Sequence, residues 1–116
     1  MPDLGADEAI VERWGANHTR GQVATGGRLW LTTRRLVFVP TALEAKVMGR
    51  SVWSCRLADV TGVSIARRGL SATSGEWRRR LAVHHSSGSD LFVVNHVRTV
   101  AETVRGALTG ELHHWD

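Results

Sequence analysis

The chain has 116 residues and a formal net charge of +4, with 42% hydrophobic and 22% charged residues. This length suits one domain, and the composition is that of a globular protein rather than a disordered chain. The single cysteine, Cys55, excludes an internal disulfide and favours a reducing compartment. No apolar run approaches the roughly 20 residues of a membrane-spanning helix, and the acidic N-terminus is unlike a signal peptide. We therefore expect a cytoplasmic protein whose membrane contact, if any, is peripheral at the inner face.

Charge is distributed unevenly along the sequence. Residues 13–80 contain 13 Lys and Arg and three acidic residues, a net charge of +10, whereas the two ends together carry −6. A basic central section can simply keep a surface soluble. It can also attract an anionic lipid, a nucleic acid or an acidic protein.

The first third of the chain predicts β-structure. Residues 9–14 are compatible with a first strand or a helical turn, and residues 16–21 predict a strand leading into irregular chain. Gly26-Gly27 then predicts a break. Residues 28–32 and 36–39 are rich in apolar and β-branched side chains and are joined by a short polar step, which predicts a β-hairpin.

Alternation along this hairpin predicts which side chains are buried. Four residues share the face that we assign to the core: Leu29, Leu31, Leu36 and Phe38. Trp30, Val37 and Val39 point the other way, where an open sheet would carry polar residues. Either another layer of the protein covers these three, or they form a surface patch that meets a partner. Trp30 is also one of two tryptophans, with Trp115, that we expect to be exposed.

Later segments continue the pattern of short strands. We predict a loop over residues 41–49, strands over residues 51–57 and 60–65 with a bend at Ala58-Asp59, and a loop over residues 67–75. Residues 76–84 and 91–94, on either side of the turn Ser86-Ser87-Gly88-Ser89, predict a second hairpin.

The last segment changes its period. Apolar residues recur at helical spacing and define one face of an amphipathic helix that Gly110 could end: Val97, Val100, Ala101, Val104 and Leu108. The chain is thus predicted to be mainly β, with six or seven antiparallel strands curled into a barrel or two packed sheets and one helix covering an open end. This domain spans residues 9–109, between a flexible acidic segment (1–8) and a tail (110–116).

Three stretches resemble bacterial GRAM domains. Gly26-Gly27-Arg28-Leu29-Trp30-Leu31-Thr32 is similar to the family's Gly-x-Leu-x-Leu-Thr stretch, and Arg35-Leu36-Val37-Phe38-Val39-Pro40 to the Arg-Leu-x-Phe that follows it. Leu57-Ala58-Asp59-Val60-Thr61-Gly62-Val63 resembles the family's Leu-x-Asp-Ile-x-x-Val step. The resemblance implies a pleckstrin-homology-like fold of two orthogonal antiparallel sheets with a C-terminal helix, and binding of lipid or protein at membranes.

Basic side chains are the candidates for an anion or lipid site. Lys46 and Arg50 follow the first hairpin, where the resemblance implies lipid-binding residues, and a denser cluster lies further along the chain: Arg67, Arg68, Arg78 and Arg80. Guanidinium groups bind phosphate well, but charges on a strand also protect its edge from aggregation. Both interpretations remain open.

Catalysis and metal binding have little support in the sequence. We find no catalytic triad, carboxylate pair or phosphate-binding glycine loop, and the histidine pairs lack metal-ligand spacing. His18 is expected to be a partly buried structural residue and Cys55 an inert core residue. The predicted function is a non-enzymatic module without cofactor, metal or small-molecule substrate, which recognises a protein, including itself as a homodimer, or an anionic membrane surface. Nucleic-acid binding through the arginine-rich strand and loop is the alternative.

Overall fold

The structure, a computed structural model, describes residues 2–20, 23–41, 53–66 and 79–109. Within these residues, seven strands and one helix follow each other: β1 (Ile10–Arg20), β2 (Val23–Thr32), β3 (Arg35–Pro40), β4 (Trp53–Arg56), β5 (Val60–Ala66), β6 (Arg80–His85), β7 (Gly88–Val94) and α1 (Val97–Leu108). A single 3₁₀ turn, Leu57–Asp59, connects β4 to β5 where the sequence predicted a bend. The loop predicted at 41–49 lies outside the described residues except for Thr41. The loop predicted at 67–75, the start of the strand predicted at 76–84, and the tail 110–116 also lie outside them.

All seven strands belong to one antiparallel sheet with the order β4-β3-β2-β1-β7-β6-β5. β1 pairs with β2 along its whole length, from Ile10–Thr32 to Arg20–Val23. Its C-terminal half pairs on the other side with β7, over Ala16–Thr19. The long first strand therefore joins a half made of β2, β3 and β4 to a half made of β7, β6 and β5, and the predicted strand number and terminal helix are confirmed.

The core lies between the two halves of the sheet and α1. Leu29, Leu31, Leu36 and Phe38 are at most 1% exposed, as the alternation predicted. They meet side chains from the second half and from the helix: Leu81, Val83, Phe92, Val100 and Val104. Removing a side chain of this size from water stabilises the fold by about 1.5–3 kcal/mol, so this contact area dominates folding.

The helix has the length and the buried face that its apolar spacing predicted. Val100, Ala101, Val104 and Ala107 are buried, whereas Val97 and Leu108 at its ends are half-buried. Arg105 projects from the last turn, and its guanidinium donates two hydrogen bonds to the carbonyl of Val63 on β5, at 3.0 and 3.2 Å. This contact ties the helix to the edge of the second half of the sheet.

The predicted break at Gly26-Gly27 is wrong, because β2 continues through both glycines. Gly27 is needed for a steric reason instead. A Cβ at this position would lie 2.7 Å from Cα of Pro40 and 2.8 Å from the ring of Phe38, both on β3. Glycine here allows β2 and β3 to approach closely rather than ending a strand.

The outer face of the first hairpin is covered, which corrects two expectations. Trp30, Val37 and Val39 point away from the core as predicted, but they are only 4%, 1% and 7% exposed. Ile10 packs against them, and the guanidinium of Arg13 lies over the indole of Trp30, 5.7 Å from the ring centroid. Trp30 is therefore not an exposed tryptophan, and the three residues do not form an open interface patch.

The N-terminal segment, predicted to be flexible, is anchored at Glu8. The carboxylate of Glu8, 3% exposed, accepts hydrogen bonds from Oγ1 of Thr32 at 2.5 Å and from Nε of Arg35 at 2.8 Å. The Arg35 guanidinium also donates to the carbonyl of Asp3. Hydrogen bonds from Arg35 outweigh the opposing effect of burial and lower the pKa of Glu8 to about 2. An acidic residue from the N-terminus thus closes the turn between β2 and β3.

Gly27→Ala should lower the free energy of unfolding by about 1–3 kcal/mol, because the added methyl group overpacks the contact with β3. Gly62→Ala is the matched control, since a Cβ at Gly62 meets nothing within 4 Å. Urea denaturation of the three proteins measures the difference. Equal losses of stability in both variants would contradict the close approach of β2 and β3.

Glu8→Gln should remove an acid-sensitive part of the stability. The pKa of Glu8 is lower in the folded chain than its ordinary value of 4.5, so its stabilising effect is complete above that value and is lost as the pH falls towards about 2. Thermal unfolding at pH 7 should show a lower Tm for the variant than for the wild type. The two Tm values should converge between pH 4.5 and 2, and a constant difference would contradict the anchor.

Candidate functional site

The half-buried carboxylate of Asp90, with 13% of its side chain exposed, organises one end of the sheet. The antiparallel order places the end of β1, the start of β4, the end of β6 and the start of β7 together. His18, Trp53 and His85 reach Asp90 from β1, β4 and β6 respectively. We call these four side chains the Asp90 network.

Both carboxylate oxygens of Asp90 accept hydrogen bonds. Nε2 of His18 donates to Oδ1 at 2.8 Å, whereas Nε2 of His85 and Nε1 of Trp53 donate to Oδ2 at 2.8 and 3.0 Å. Burial alone would raise the pKa of Asp90, but the hydrogen bonds from His85, His18 and Trp53 outweigh burial and lower it. The network therefore holds Asp90 as a carboxylate that accepts three hydrogen bonds.

The imidazoles of His85 and His18 each make a further contact beyond Asp90. Nδ1 of His85 accepts a hydrogen bond from the backbone N–H of Ser87 at 3.3 Å, so His85 carries its hydrogen on Nε2 and links Asp90 to the turn between β6 and β7. The ring of His18 stacks on Phe92, with centroids 4.6 Å apart and an angle of 17°. Trp53 meets the same ring of Phe92 edge-on at 5.1 Å. His18 is buried, more fully than the partial burial that the sequence predicted, and the network rests directly on the apolar core.

A groove of about 260 Å³ lies over one side of the Asp90 network. It runs between β4 and the turn that follows β6, and its lining mixes aromatic, hydroxyl and charged groups: Trp53, Ser54, Cys55, Arg56, Asp59, His85, Ser86 and Ser87. Nε of Arg56 and Oδ2 of Asp59 pair at 3.2 Å, on a solvent-exposed part of this lining. We call this feature the β4 groove.

The sequence predicted that Cys55 lies in the core. In the structure Cys55 is half-buried and lines the β4 groove instead. Burial raises the pKa of its thiol above the ordinary value of 9.0, and the charges of Asp59 and Asp90 add to this effect. At neutral pH the group is therefore a thiol, which is a weak nucleophile. Its predicted inertness has a physical basis, although its predicted location was wrong.

Histidine and carboxylate groups do not converge on a metal position. His18 and His85 bind different oxygens of Asp90, and within the described residues there is no group of three or more His, Cys, Asp or Glu that could hold a metal ion. Among these same residues, no helix is long and apolar enough to cross a membrane.

The predicted basic site is described only in part. Arg80 pairs with Ala66, at the opposite end of the β5–β6 ladder from His85, so the sheet separates it from the Asp90 network. Arg79 precedes β6 and is exposed. The other candidates lie outside the described residues: Lys46, Arg50, Arg67, Arg68 and Arg78.

The sequence did not predict the Asp90 network. His85 and Asp90 are five residues apart on either side of a predicted turn. The predicted hairpin would therefore have allowed their contact to be predicted. His18 and Trp53 are 72 and 37 residues from Asp90, and only the sheet order brings them together. Their residue types alone carry no signal for this contact.

Solved structures share this fold. The Vps36 N-terminal PH domain matches with a TM-score of 0.70 and 15% identity, over 96% of this chain and 86% of that one. A C-terminal domain of an unknown protein from Leishmania infantum gives 0.69 and 10%, over 88% and 85%. The hSac2 domain of the human phosphoinositide phosphatase Sac2 gives 0.61 and 12%, over 93% and 74%. No protein-family model and no curated protein matches the sequence. The chain has a pleckstrin-homology-like fold, as predicted.

Asp90→Asn should destabilise the chain by about 2–4 kcal/mol at pH 7, because an amide can accept only on one atom and turns its own donor towards the remaining N–H groups. The wild type should also lose stability as the pH falls, since the pKa of Asp90 is lowered below its ordinary value of 3.8 by folding. Urea denaturation at pH 7 and at pH 3 measures both effects. A variant as stable as the wild type at pH 7 would contradict the network.

Proposed function

We propose that this chain is a non-enzymatic recognition module that binds a protein partner through the β4 groove. The observation that carries the proposal is the chemistry of the groove lining. The lining contains two opposite charges, from Arg56 and Asp59, and the aromatic surface of Trp53. It also contains three hydroxyl groups, from Ser54, Ser86 and Ser87. A polypeptide offers complementary groups of all three kinds.

The edge of β4 supports the same proposal. β4 is the terminal strand of the sheet in the described part of the chain, so one of its edges has no strand partner there. Ser54 and Arg56 are exposed, and both line the groove beside that edge. Peptides are commonly recognised where a free strand edge adjoins a groove.

An anionic headgroup fits the β4 groove less well than a peptide does. Asp59 would repel a phosphate, and its pairing at 3.2 Å already occupies the guanidinium of Arg56. The exposed arginines of the described surface lie on β1, β2, β4 and α1, in the turn between β2 and β3, and before β6, and only Arg56 among them lines the β4 groove. Membership of the GRAM family, which the hairpin residues suggest, is part of the proposal and is compatible with a protein partner.

Ser54→Tyr should abolish partner binding, because a phenol ring would fill the groove at an exposed position where folding is not affected. Glu102→Tyr, on the exposed side of α1, is the matched control. We expect cross-linking capture from the native cell to recover a partner with the wild type and the control, and at least about tenfold less with Ser54→Tyr, a difference of about 1.4 kcal/mol.

Vesicles and nucleic acid provide the opposing measurements. Anionic vesicles should sediment no more of the protein than neutral vesicles at about 50 mM salt, and DNA or RNA should show no mobility shift under the same conditions. Preferential sedimentation with anionic vesicles, unchanged in Ser54→Tyr, would replace the proposal by lipid binding. Equal capture by wild type and Ser54→Tyr would exclude the β4 groove as the binding surface.

A further inference from the structure

A second candidate binding surface lies at the N-terminal half of β1. β7 pairs with β1 only from Ala16 onwards, and residues 10–15 pair only with β2 in the described part of the chain. The register shift between Ile10 and Glu12 marks a bulge at Val11. Residues 12–15 therefore form a short regular stretch with one edge that no described strand covers. We call it the β1 edge.

Hydrogen-bond alternation shows which backbone groups face this edge. The connection between β1 and β2 has two residues, so Arg20 and Val23 close the hairpin as a hydrogen-bonded pair, and every second residue of β1 then bonds to β2. By this alternation, the backbone N–H and C=O groups of Trp14 and Ala16 point to β2. The backbone N–H and C=O groups of Arg13 and Gly15 point to the opposite side, away from β2.

One side-chain contact agrees with this alternation. The N–H of Arg13 is bonded to the side chain of its neighbour, with Oε1 of Glu12 at 3.3 Å. At Arg13 a carboxylate thus occupies the place where the carbonyl of an added strand would accept.

Gly15 gives the β1 edge room for another backbone. It lies in the interior of a strand, where glycine costs stability, yet a Cβ built on it meets nothing within 4 Å. Internal packing therefore does not require glycine at this position, in contrast to Gly27. Gly15 is exposed and lines a trough of about 180 Å³ with Ala16, Asn17, Val93 and Asn95. A glycine of this kind in a strand is typical of a close approach by a ligand or a second chain.

Positive charge flanks the same position. Arg28 lies directly opposite Gly15 in the β1–β2 register, and Arg13 lies opposite Trp30, two residues away on the same face. Both arginines are exposed, and neither forms an ion pair with any residue that the structure describes. The face of the sheet next to the β1 edge therefore carries two exposed arginines, and the guanidinium of Arg13 lies over the indole of Trp30.

We propose that an extended acidic segment of a partner protein adds as a strand to the β1 edge, bonding to the backbone of Arg13 and Gly15 and placing carboxylates beside Arg13 and Arg28. Backbone bonds supply the affinity, and the arginines select for acidic residues. A second copy of this chain is a poorer occupant, because its β1 would bring another Arg13 to the same face. The inference rests on protein recognition as proposed above, but uses a different surface.

The test uses the full chain and synthetic seven-residue peptides. The probe alternates valine and glutamate; its controls alternate valine and lysine, or carry N-methyl groups on the backbone amides that would face β1. With the acidic probe at about 1 mM, we expect amide exchange of Arg13 and Gly15 to slow at least about tenfold, with no change at Trp14, which already bonds to β2. Both control peptides should bind at least about tenfold more weakly.

Variants separate strand addition from simple attraction of charge. Gly15→Val should weaken binding of the acidic probe at least about tenfold without loss of folding, whereas Gly62→Val, at another open strand glycine, should leave it unchanged. Glu12→Ala, which frees the N–H of Arg13, should strengthen it. The groove variant Ser54→Tyr should bind the probe normally, so failure of the β4 groove is measured independently.

Three results would overturn the inference. One is unchanged exchange of the Arg13 and Gly15 amides at 1 mM probe. Another is equal affinity for the N-methylated peptide, which would reduce the contact to charge attraction. The third is concentration-dependent dimerisation by light scattering that Gly15→Val abolishes, which would assign the β1 edge to a second copy of this chain.

Discussion

The pairing of β1 with two neighbours is the constraint on which the rest of the structure depends. An eleven-residue strand bonds to β2 along its whole length and to β7 along its C-terminal half only. Where both neighbours are present, His18 is carried into the interior and meets Asp90. Where β7 is absent, one edge of β1 remains without a strand partner in the described chain. The buried network and the open edge are thus two consequences of the same arrangement.

Partial burial of the Asp90 carboxylate at this junction is tolerated because three hydrogen bonds stabilise its charged form. An unpaired carboxylate in the interior costs several kcal/mol, and three donors from three different strands offset that cost for Asp90. Since each donor comes from a different element, the network also fixes how β1, β4 and β6 lie relative to β7. Its contribution is as much to the specificity of the arrangement as to its stability.

The sequence predicted the parts of the fold that depend on local periodicity. Alternation placed Leu29 and Phe38 in the core, and the spacing of Val100 and Val104 predicted the helix that buries them. It failed where the outcome depends on a distant element. The face of Trp30 was predicted correctly, but its cover was not, because a strand pattern does not show what lies above it. The sequence predicted a strand break at Gly27, whereas glycine is needed there for the contact with β3. That contact depends on the register of the two strands, which the local sequence does not show.

Under the proposal above, glycine and arginine at the β1 edge would allow the sheet to bind a partner without aggregating. A long, flat, uncharged edge would pair with any strand, including its own copy. The bulge at Val11 shortens the regular stretch, the carboxylate of Glu12 covers one donor, and Arg13 and Arg28 discourage pairing with a like surface. Each of these features weakens nonspecific pairing, whereas none blocks an acidic strand that can displace Glu12 and approach Gly15. In the proposed complex, the same few residues therefore both discourage self-association and select the partner.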